Sequence, residues 1–389
     1  MTTRTKTKPQ APKISVWKAL LLCLPMALLS AMMLTGGQLP DDPLYLIAAG
    51  VTFLLINGAF YLMLTTGETH RYRSLLFVVM AVGFVITFVT NLLETRGSMI
   101  LTEENVISGE TPFCHLVIPM IIVPAVITRT IIFPGSLLEG FANVASMIVL
   151  WLGVSLALGR GWCSWGCFYG GLDEGFSRVL KKPVIKKIDR KWIYLPFAVL
   201  LVIVLTSALT LSPTYCEWLC PFKAVTEFAE VTSFTAVVQT VIFVSLFIGL
   251  VIVLPILTKR RIQCGLFCPL GALQSFINKI NIFEIRIDPE KCAQCGLCIK
   301  NCPTFSLDES SLESGKTLIT CTRCGQCVDL CPRQAISYHI KGTPVGIKPN
   351  AARVLFLYPA FILLSAIGGG MIAGGLWRIL KLITTGSMI

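Results

Sequence analysis

The stretch GRGWCSWGCFYGG, residues 159–171, closes an apolar run that begins near residue 140. It carries two cysteines four apart, Cys163 and Cys167, among glycines and tryptophans. Two thiols are too few to close a metal site, so partners must come from elsewhere in the chain. The surroundings of this stretch decide the fold class. Of 389 residues, 54% are hydrophobic and 14% charged, and the mean hydropathy is +0.75. Several apolar runs of about 20 residues match the hydrocarbon thickness of a bilayer. The chain therefore reads as a mainly α, polytopic helical membrane protein. A net charge of +12 would suggest nucleic acid in a soluble protein. In a membrane protein Lys and Arg gather in cytoplasmic loops, so no nucleic-acid partner is expected.

Seven spans are expected, near 15–36, 44–66, 74–93, 140–158, 194–212, 236–257 and 354–376. The basic start MTTRTKTKPQAPK is followed by a long apolar run without an A-x-A-like cleavage site, and reads as a retained first span with a cytoplasmic N-terminus. Arg4, Lys6, Lys8 and Lys13, then His70, Arg71 and Arg73, then KKPVIKKIDRK (181–191) and Lys259-Arg260-Arg261 mark the inner side. Asp41, Asp42, Glu94, Glu103, Glu104 and Glu110 fall in outer loops. This parity holds only if 113–135 does not cross. That stretch carries Pro119, Pro124, Pro134 and Arg129, and reads as a re-entrant element entered from the outer side. The chain divides into a transmembrane region (1–285), a cytoplasmic module (286–340), and a linker with the final transmembrane helix (341–389).

In the module, Cys292-x2-Cys295-x2-Cys298-x3-Cys302-Pro303 is followed by Cys321-x2-Cys324-x2-Cys327-x3-Cys331-Pro332. A tight loop presents three thiolates to three corners of a cubane, and the fourth departs towards a second one. The doubled pattern resembles bacterial dicluster ferredoxins, small α+β domains. That resemblance implies one [4Fe-4S] cluster on Cys292, Cys295, Cys298 and Cys331, and another on Cys321, Cys324, Cys327 and Cys302. Zinc ribbons also use C-x2-C pairs, but the doubled pattern ending twice in Cys-Pro argues against zinc. Disulfides are disfavoured on a reducing cytoplasmic side.

Three C-x3-C pairs remain: Cys163/Cys167, Cys216/Cys220 and Cys264/Cys268. Positions i and i+4 share a helix face, so each pair offers two thiolates in one direction. The expected topology returns Cys264/Cys268 to the level of Cys163/Cys167, where together they supply four thiolates for a further iron–sulfur cluster at the cytoplasmic membrane edge. The competing reading is four small buried residues. Cys216/Cys220 are expected on the outer side with Cys114 and His115, as an iron–sulfur centre, a Cys3His zinc site or a disulfide. Cys23 lies mid-span and reads as packing.

GRGWCSWGC, RRIQCGLFCPLGAL and the module after them together resemble the NapH/NosR-type membrane polyferredoxins, over about 140–340. The resemblance implies electron transfer between a quinone pool or a cytoplasmic donor and a redox partner across the membrane. Phe168 stands where that pattern has Pro, and Cys216/Cys220 and PFCHLVIP read as additions to it. A large N-terminal flavin domain like that of NosR is not expected, and SGET (108–111) only faintly echoes a flavin-attachment motif. The chain is expected to be an electron-transfer subunit of a bacterial inner membrane, with a flavoprotein, cytochrome or quinone as partner. A quinol dehydrogenase with a pocket near Arg129 and a redox-sensing or assembly protein are the alternatives. With His70, His115 and His339 the only histidines, a hydrolase or multi-haem protein is disfavoured.

Overall fold

The computed structural model describes residues 13–95, 114–130, 137–138, 143–226, 233–344 and 349–388. Arg4, Lys6, Lys8, Glu103, Glu104, Glu110, Pro134 and the SGET stretch lie outside them. Among the described residues seven helices are long and apolar enough to cross a membrane. They include α1 (Val16–Thr35), α2 (Pro43–Thr66) and α3 (Thr69–Thr95). Asp42 caps α2 by accepting from Leu44 N at 2.8 Å, with Pro43 behind it, so the start of this span is written into two residues.

Among its described residues the proline-rich stretch forms a 3-10 turn, His115–Val117, that runs into the eleven-residue helix α4 (Ile118–Thr128), which ends at Arg129 in the left-handed region. At 1.5 Å per residue α4 is about 16 Å long, about half the hydrocarbon core of a bilayer. Three apolar helices follow, each leading to a short one: α5 (Val144–Leu158) to α6 (Phe168–Phe176), α7 (Leu195–Thr210) to a turn at 215–226, and α8 (Phe234–Leu246) to α9 (Pro269–Ile277). A π-helical stretch, Phe247–Val253, carries the α8 span on to Thr258.

The small domain is a two-stranded antiparallel sheet, β1 (Phe283–Ile287) on β2 (Ile336–Ile340), with Ile285 opposite Tyr338. Between the strands lie α10 (Leu297–Asn301), α11 (Glu309–Ser314) and α12 (Gln326–Leu330). The last span joins α13 (Pro349–Leu363) to α14 (Gly369–Thr385) through a π-helical turn. Its glycines serve packing within the chain: a Cβ on Gly375 would lie 2.7 Å from Gly83 Cα on α3.

The basic segments share one face with the small domain. Ile14 N donates to Leu64 O, Arg353 to Gly67 O, His70 N to Asp329, and Lys259 Nζ to Leu180 O. Arg190 pairs with Asp308 of the small domain. Asp42 lies at the opposite end, where it accepts from Trp377 Nε1 at 2.7 Å.

Candidate functional site

In the small domain each cysteine loop turns through two left-handed residues, Gln294 and Gly296 in one, Arg323 and Gly325 in the other. The repeat makes two matching half-sites. Cys292, Cys295, Cys298 and Cys331 line one pocket. Cys302 reaches the other loop: it lies within charge range of Cys321 and Cys324, and Cys327 within range of Cys321, Cys324 and Cys302. The fourth cysteines are held alike, Cys302 Sγ by Ser306 N at 3.1 Å and Cys331 Sγ by Ala335 N at 3.2 Å. The two crossed sets are thus brought together. Burial pushes the Cys324 thiol up to about 12. Clustered thiols in that condition ionise together only when a metal compensates them.

The domain is seated on the helices by buried polar contacts. Arg73 donates from Nε to Cys324 O and from Nη1 to Ser164 O, and pairs with Glu174 at 2.9 Å. Trp165 Nε1 donates to Arg323 O, and Arg261 N donates to Pro303 O. Cys163, Cys167, Cys264 and Cys268 lie directly beneath, all four buried. Cys167 lies within charge range of Cys163 and Cys268, and Cys264 within range of Cys167 and Cys268. The first cysteine of each pair sits in one helical turn, Trp162–Trp165 or the π-helical Gln263–Phe267. The second is extended and opens a short helix. Phe168 takes the first-turn position that Pro269 holds in the other pair, and its ring stacks on Phe84 with centroids 4.0 Å apart.

A longer pattern underlies these two pairs, R-x2-C-x3-C-x2-G, and spacing of cysteines alone does not reveal it. Arg160 Nη2 donates to Cys264 O at 2.7 Å, while Arg261 Nη2 donates to Cys163 O. Each arginine clasps the other pair. The glycines make room: a Cβ on Gly170 would lie 2.5 Å from Arg261 Nη2, and one on Gly271 would lie 2.9 Å from Arg160 Nη2. Both guanidinium groups are fully buried, and both Nε–H groups lack a partner. Arg160 otherwise meets only neutral oxygens, of Ser275 and Thr320. Buried charge is ordinarily compensated. Two orphaned N–H groups and an uncompensated cation beside four thiols suit an anionic, thiolate-ligated cluster with acceptor sulfides.

The third pair is placed differently from the sequence expectation. After α7 the chain doubles back, and Thr214 Oγ1 meets Ser207 Oγ at 2.7 Å. This carries Cys216 and Cys220 down beside the first two pairs rather than leaving them at the far end. Cys114 joins them, within charge range of both. His115 does not. Its Nε2 lies 3.0 Å from Cys167 Sγ, because the turn at 115–117 points neighbouring side chains to opposite sides. Tyr169 stands between the groups, within charge range of Cys114, Cys220 and Cys167, and stacks on Phe222 at 3.9 Å. Pro213 and Lys223 replace the arginine and glycine of the clasp here.

Among the described residues, which include all sixteen cysteines, none forms a disulfide. Also among them, no three His, Cys, Asp or Glu side chains are arranged to hold a metal ion. A tetrahedral zinc site needs sulfurs only about 3.8 Å apart, from Zn–S bonds of about 2.3 Å. A cubane spreads its four thiolates over four irons.

A family described as "4Fe-4S dicluster domain" matches residues 284–332. Another, "4Fe-4S binding domain", matches three times, at 140–187, 192–234 and 240–287. The second of these contains Cys216 and Cys220, so that pair belongs to the repeat and is not an addition to it. YccM of Escherichia coli (strain K12), named as a candidate electron transport protein, is 28% identical over 177 residues, 44% of this chain and 48% of its own length. MauN of Methylobacillus flagellatus, a methylamine utilization ferredoxin-type protein, is 28% identical over 175 residues, 44% of this chain and 58% of its own. NirI of Paracoccus denitrificans is 26% identical over 202 residues, 47% of this chain and 28% of its own. The chain thus spans roughly half or less of the length of most of these relatives. No solved structure matches. The matches and the seven apolar helices fit a membrane ferredoxin-type protein that transfers electrons through iron–sulfur clusters.

Proposed function

We propose, taking the chain as a NapH-type membrane polyferredoxin, that it is the subunit of a multi-subunit oxidoreductase that carries electrons between a soluble face and the interior of the membrane. The observation that carries this reading is the order of the cysteine sets. The set lining the open cavity comes first, then Cys302 with Cys321, Cys324 and Cys327 against the helices. Cys163, Cys167, Cys264 and Cys268 follow beneath, and Cys114, Cys216 and Cys220 lie beyond Tyr169.

Each of the first three sets holds one [4Fe-4S] cluster, and the fourth a further iron–sulfur centre whose remaining ligand is not His115. Such clusters supply one-electron chemistry without bond rearrangement. The protein holds the ligands, excludes water and sets potentials. The small domain lies on the cytoplasmic side of a bacterial inner membrane, a reading supported by the basic segments that share its face. Cys295 is exposed and marks the point of electron exchange with a soluble partner.

A quinone as the membrane partner has a specific feature in its favour. An apolar groove of about 600 Å³ lies between α4, α5 and α9, lined by Ile121, Ile148, Trp151, Leu273 and Phe276 among others. An isoprenoid tail suits it, close to the deeper thiol sets.

Iron and sulfide content with EPR on the purified full chain tests the reading, comparing wild type with Cys163→Ser, Cys216→Ser and Cys331→Ser. Three or four clusters are expected, with a different signal lost in each variant. Two clusters, unaffected by Cys163→Ser and Cys216→Ser, would reduce the chain to a tethered ferredoxin. Turnover of a quinol analogue by the isolated protein would favour the dehydrogenase.

A further inference from the structure

The sulfurs of the membrane-edge set share one kind of contact with those of the small domain, since Cys167 Sγ accepts from Gly170 N at 3.4 Å, and they add side-chain donors to it. Cys302 and Cys331 accept from backbone N–H groups of Ser306 and Ala335. At the membrane edge Arg261 Nη2 lies 3.2 Å from Cys264 Sγ, and His115 Nε2 lies 3.0 Å from Cys167 Sγ. A thiolate only accepts, so the imidazole nitrogen facing it is the donor, and Nδ1 is the ring atom without a partner. Arg160 adds a second full positive charge, buried and facing no carboxylate among the described residues.

Reducing a cluster adds one negative charge. Hydrogen bonds to sulfur and nearby cations stabilise that extra charge and raise the reduction potential. Burial acts the other way, because an apolar interior disfavours the more highly charged state. The same low dielectric strengthens both guanidinium charges at close range. Two carboxylates lie nearby. Glu174 Oε1 serves Arg73 and Arg178 and stands 3.9 Å off Arg261 through its other oxygen. Asp173 accepts from the backbone of Ile262 and of the ligand residue Cys264, and so offsets part of the Arg261 charge. Arg160 has no such offset, and with Arg73 and Arg178 on Glu174 the cations around the four sulfurs outnumber the carboxylates.

We propose that Arg160, Arg261 and His115 hold the membrane-edge centre at a higher reduction potential than either centre of the small domain, so that electrons run from the soluble face into the membrane. This rests on the cluster assignment above and adds a direction to it. The electron gained at the edge is the one lost by the small domain, with no bond made or broken. The donor is a low-potential one-electron carrier of the ferredoxin or flavodoxin class. The acceptor is a quinone or a redox protein reached through the deeper set. The clasp also explains why the arginines are reciprocal: each pair is positioned only when the other is present, so the site assembles as a unit.

A potentiometric titration followed by EPR on the full chain with its clusters reads each midpoint. In wild type the signal lost in Cys163→Ser is expected to titrate at the highest potential of the three. Arg160→Gln and Arg261→Gln should shift that midpoint negative and leave the small-domain midpoints in place, and the Lys variants should shift it less. An edge midpoint at or below those of the small domain overturns the proposal. So does an edge midpoint unmoved by the Gln variants at unchanged iron content. If the Gln variants lose the cluster, His115→Phe decides: a negative shift supports the proposal and an unmoved midpoint overturns it. Absence of any third cluster in wild type would instead sink the assignment beneath it.

Discussion

Arg73 and Glu174 form an ion pair 2.9 Å long, with side chains 1% and 2% exposed. It links α3 to α6, and through Arg73 Nε it reaches Cys324 O in the small domain. One pair thus fastens a long apolar helix, the short helix α6 and the small domain at once. Removing a single partner from a buried pair leaves an uncompensated charge and costs about 3–5 kcal/mol. Glu174→Ala is expected to lower the thermal midpoint of the purified protein sharply. The cluster absorbance of the small domain should bleach in the same transition. Arg71→Ala, which breaks a solvent-exposed pair with Glu68, should change little, because exposed pairs contribute about 0–1 kcal/mol.

The last span is tested at its glycines. A Cβ on Gly83 would stand 2.5 Å from Met371 O, a backbone atom with nowhere to go. Gly83→Ala should therefore separate α3 from α14 and cost about 1–3 kcal/mol. Gly370→Ala is the control, since nothing lies within 4 Å of that position. In a helix it should be neutral or stabilising by up to about 1 kcal/mol. Equal melting temperatures for the two variants in detergent would contradict this account of the packing.

Much of this was legible in the sequence because it is local. Apolar length located the spans, and prolines separated α4 from them. The C-x2-C-x2-C-x3-C-P repeat marked the doubled module, and its resemblance to dicluster ferredoxins implied which thiols approach which. The reciprocal clasp was written at equal spacing in two places, but an arginine three residues before a cysteine looks like any inner-side charge. Only the crossing of two segments a hundred residues apart gives it meaning. The return of the chain after α7 was hidden for a similar reason. It depends on hydroxyl contacts of Thr214 with Thr206 and Ser207, which no hydropathy window registers. His115 went to Cys167 through the local geometry of one short turn, beyond the reach of residue type.

Asp308 gives a pH dependence away from the helices. Burial raises its carboxyl, and hydrogen bonds from Ser311, Ser310 and Arg190 outweigh that and hold it at about 2. A depressed folded-state value contributes stability above the ordinary carboxylate range and loses it as pH falls towards about 2. Asp308 also caps α11, accepting from Ser311 N at 2.7 Å. Asp308→Asn should keep the cap, lose the ion pair with Arg190 and flatten the acid limb of the stability profile. Asp308→Ala should lose both, at about 1 kcal/mol for the cap alone. Thermal melts of the three proteins between pH 7 and pH 3 measure it, and parallel acid limbs would refute the assignment.

Tyr169 joins the membrane-edge and deeper thiol sets, and its two parts can be separated. The ring stacks on Phe222, which follows Cys220-Pro221, with centroids 3.9 Å apart. The hydroxyl faces Cys114. Tyr169→Phe keeps the stack and loses the hydroxyl, whereas Tyr169→Leu loses both and forfeits about 1 kcal/mol of aromatic pairing. If the aromatic ring carries the coupling between the sets, rapid reduction of the small domain followed by freeze-trapping should show the deeper centre filling almost normally in the Phe variant. In the Leu variant it should fill much more slowly, with the membrane-edge centre accumulating its electron. If the hydroxyl matters more, the Phe variant alone should already show that accumulation. Equal filling in all three proteins would mean that the electron passes by another route, with the Pro213–Phe222 segment and Tyr215, which donates from the same turn towards Met120, the next to be tested.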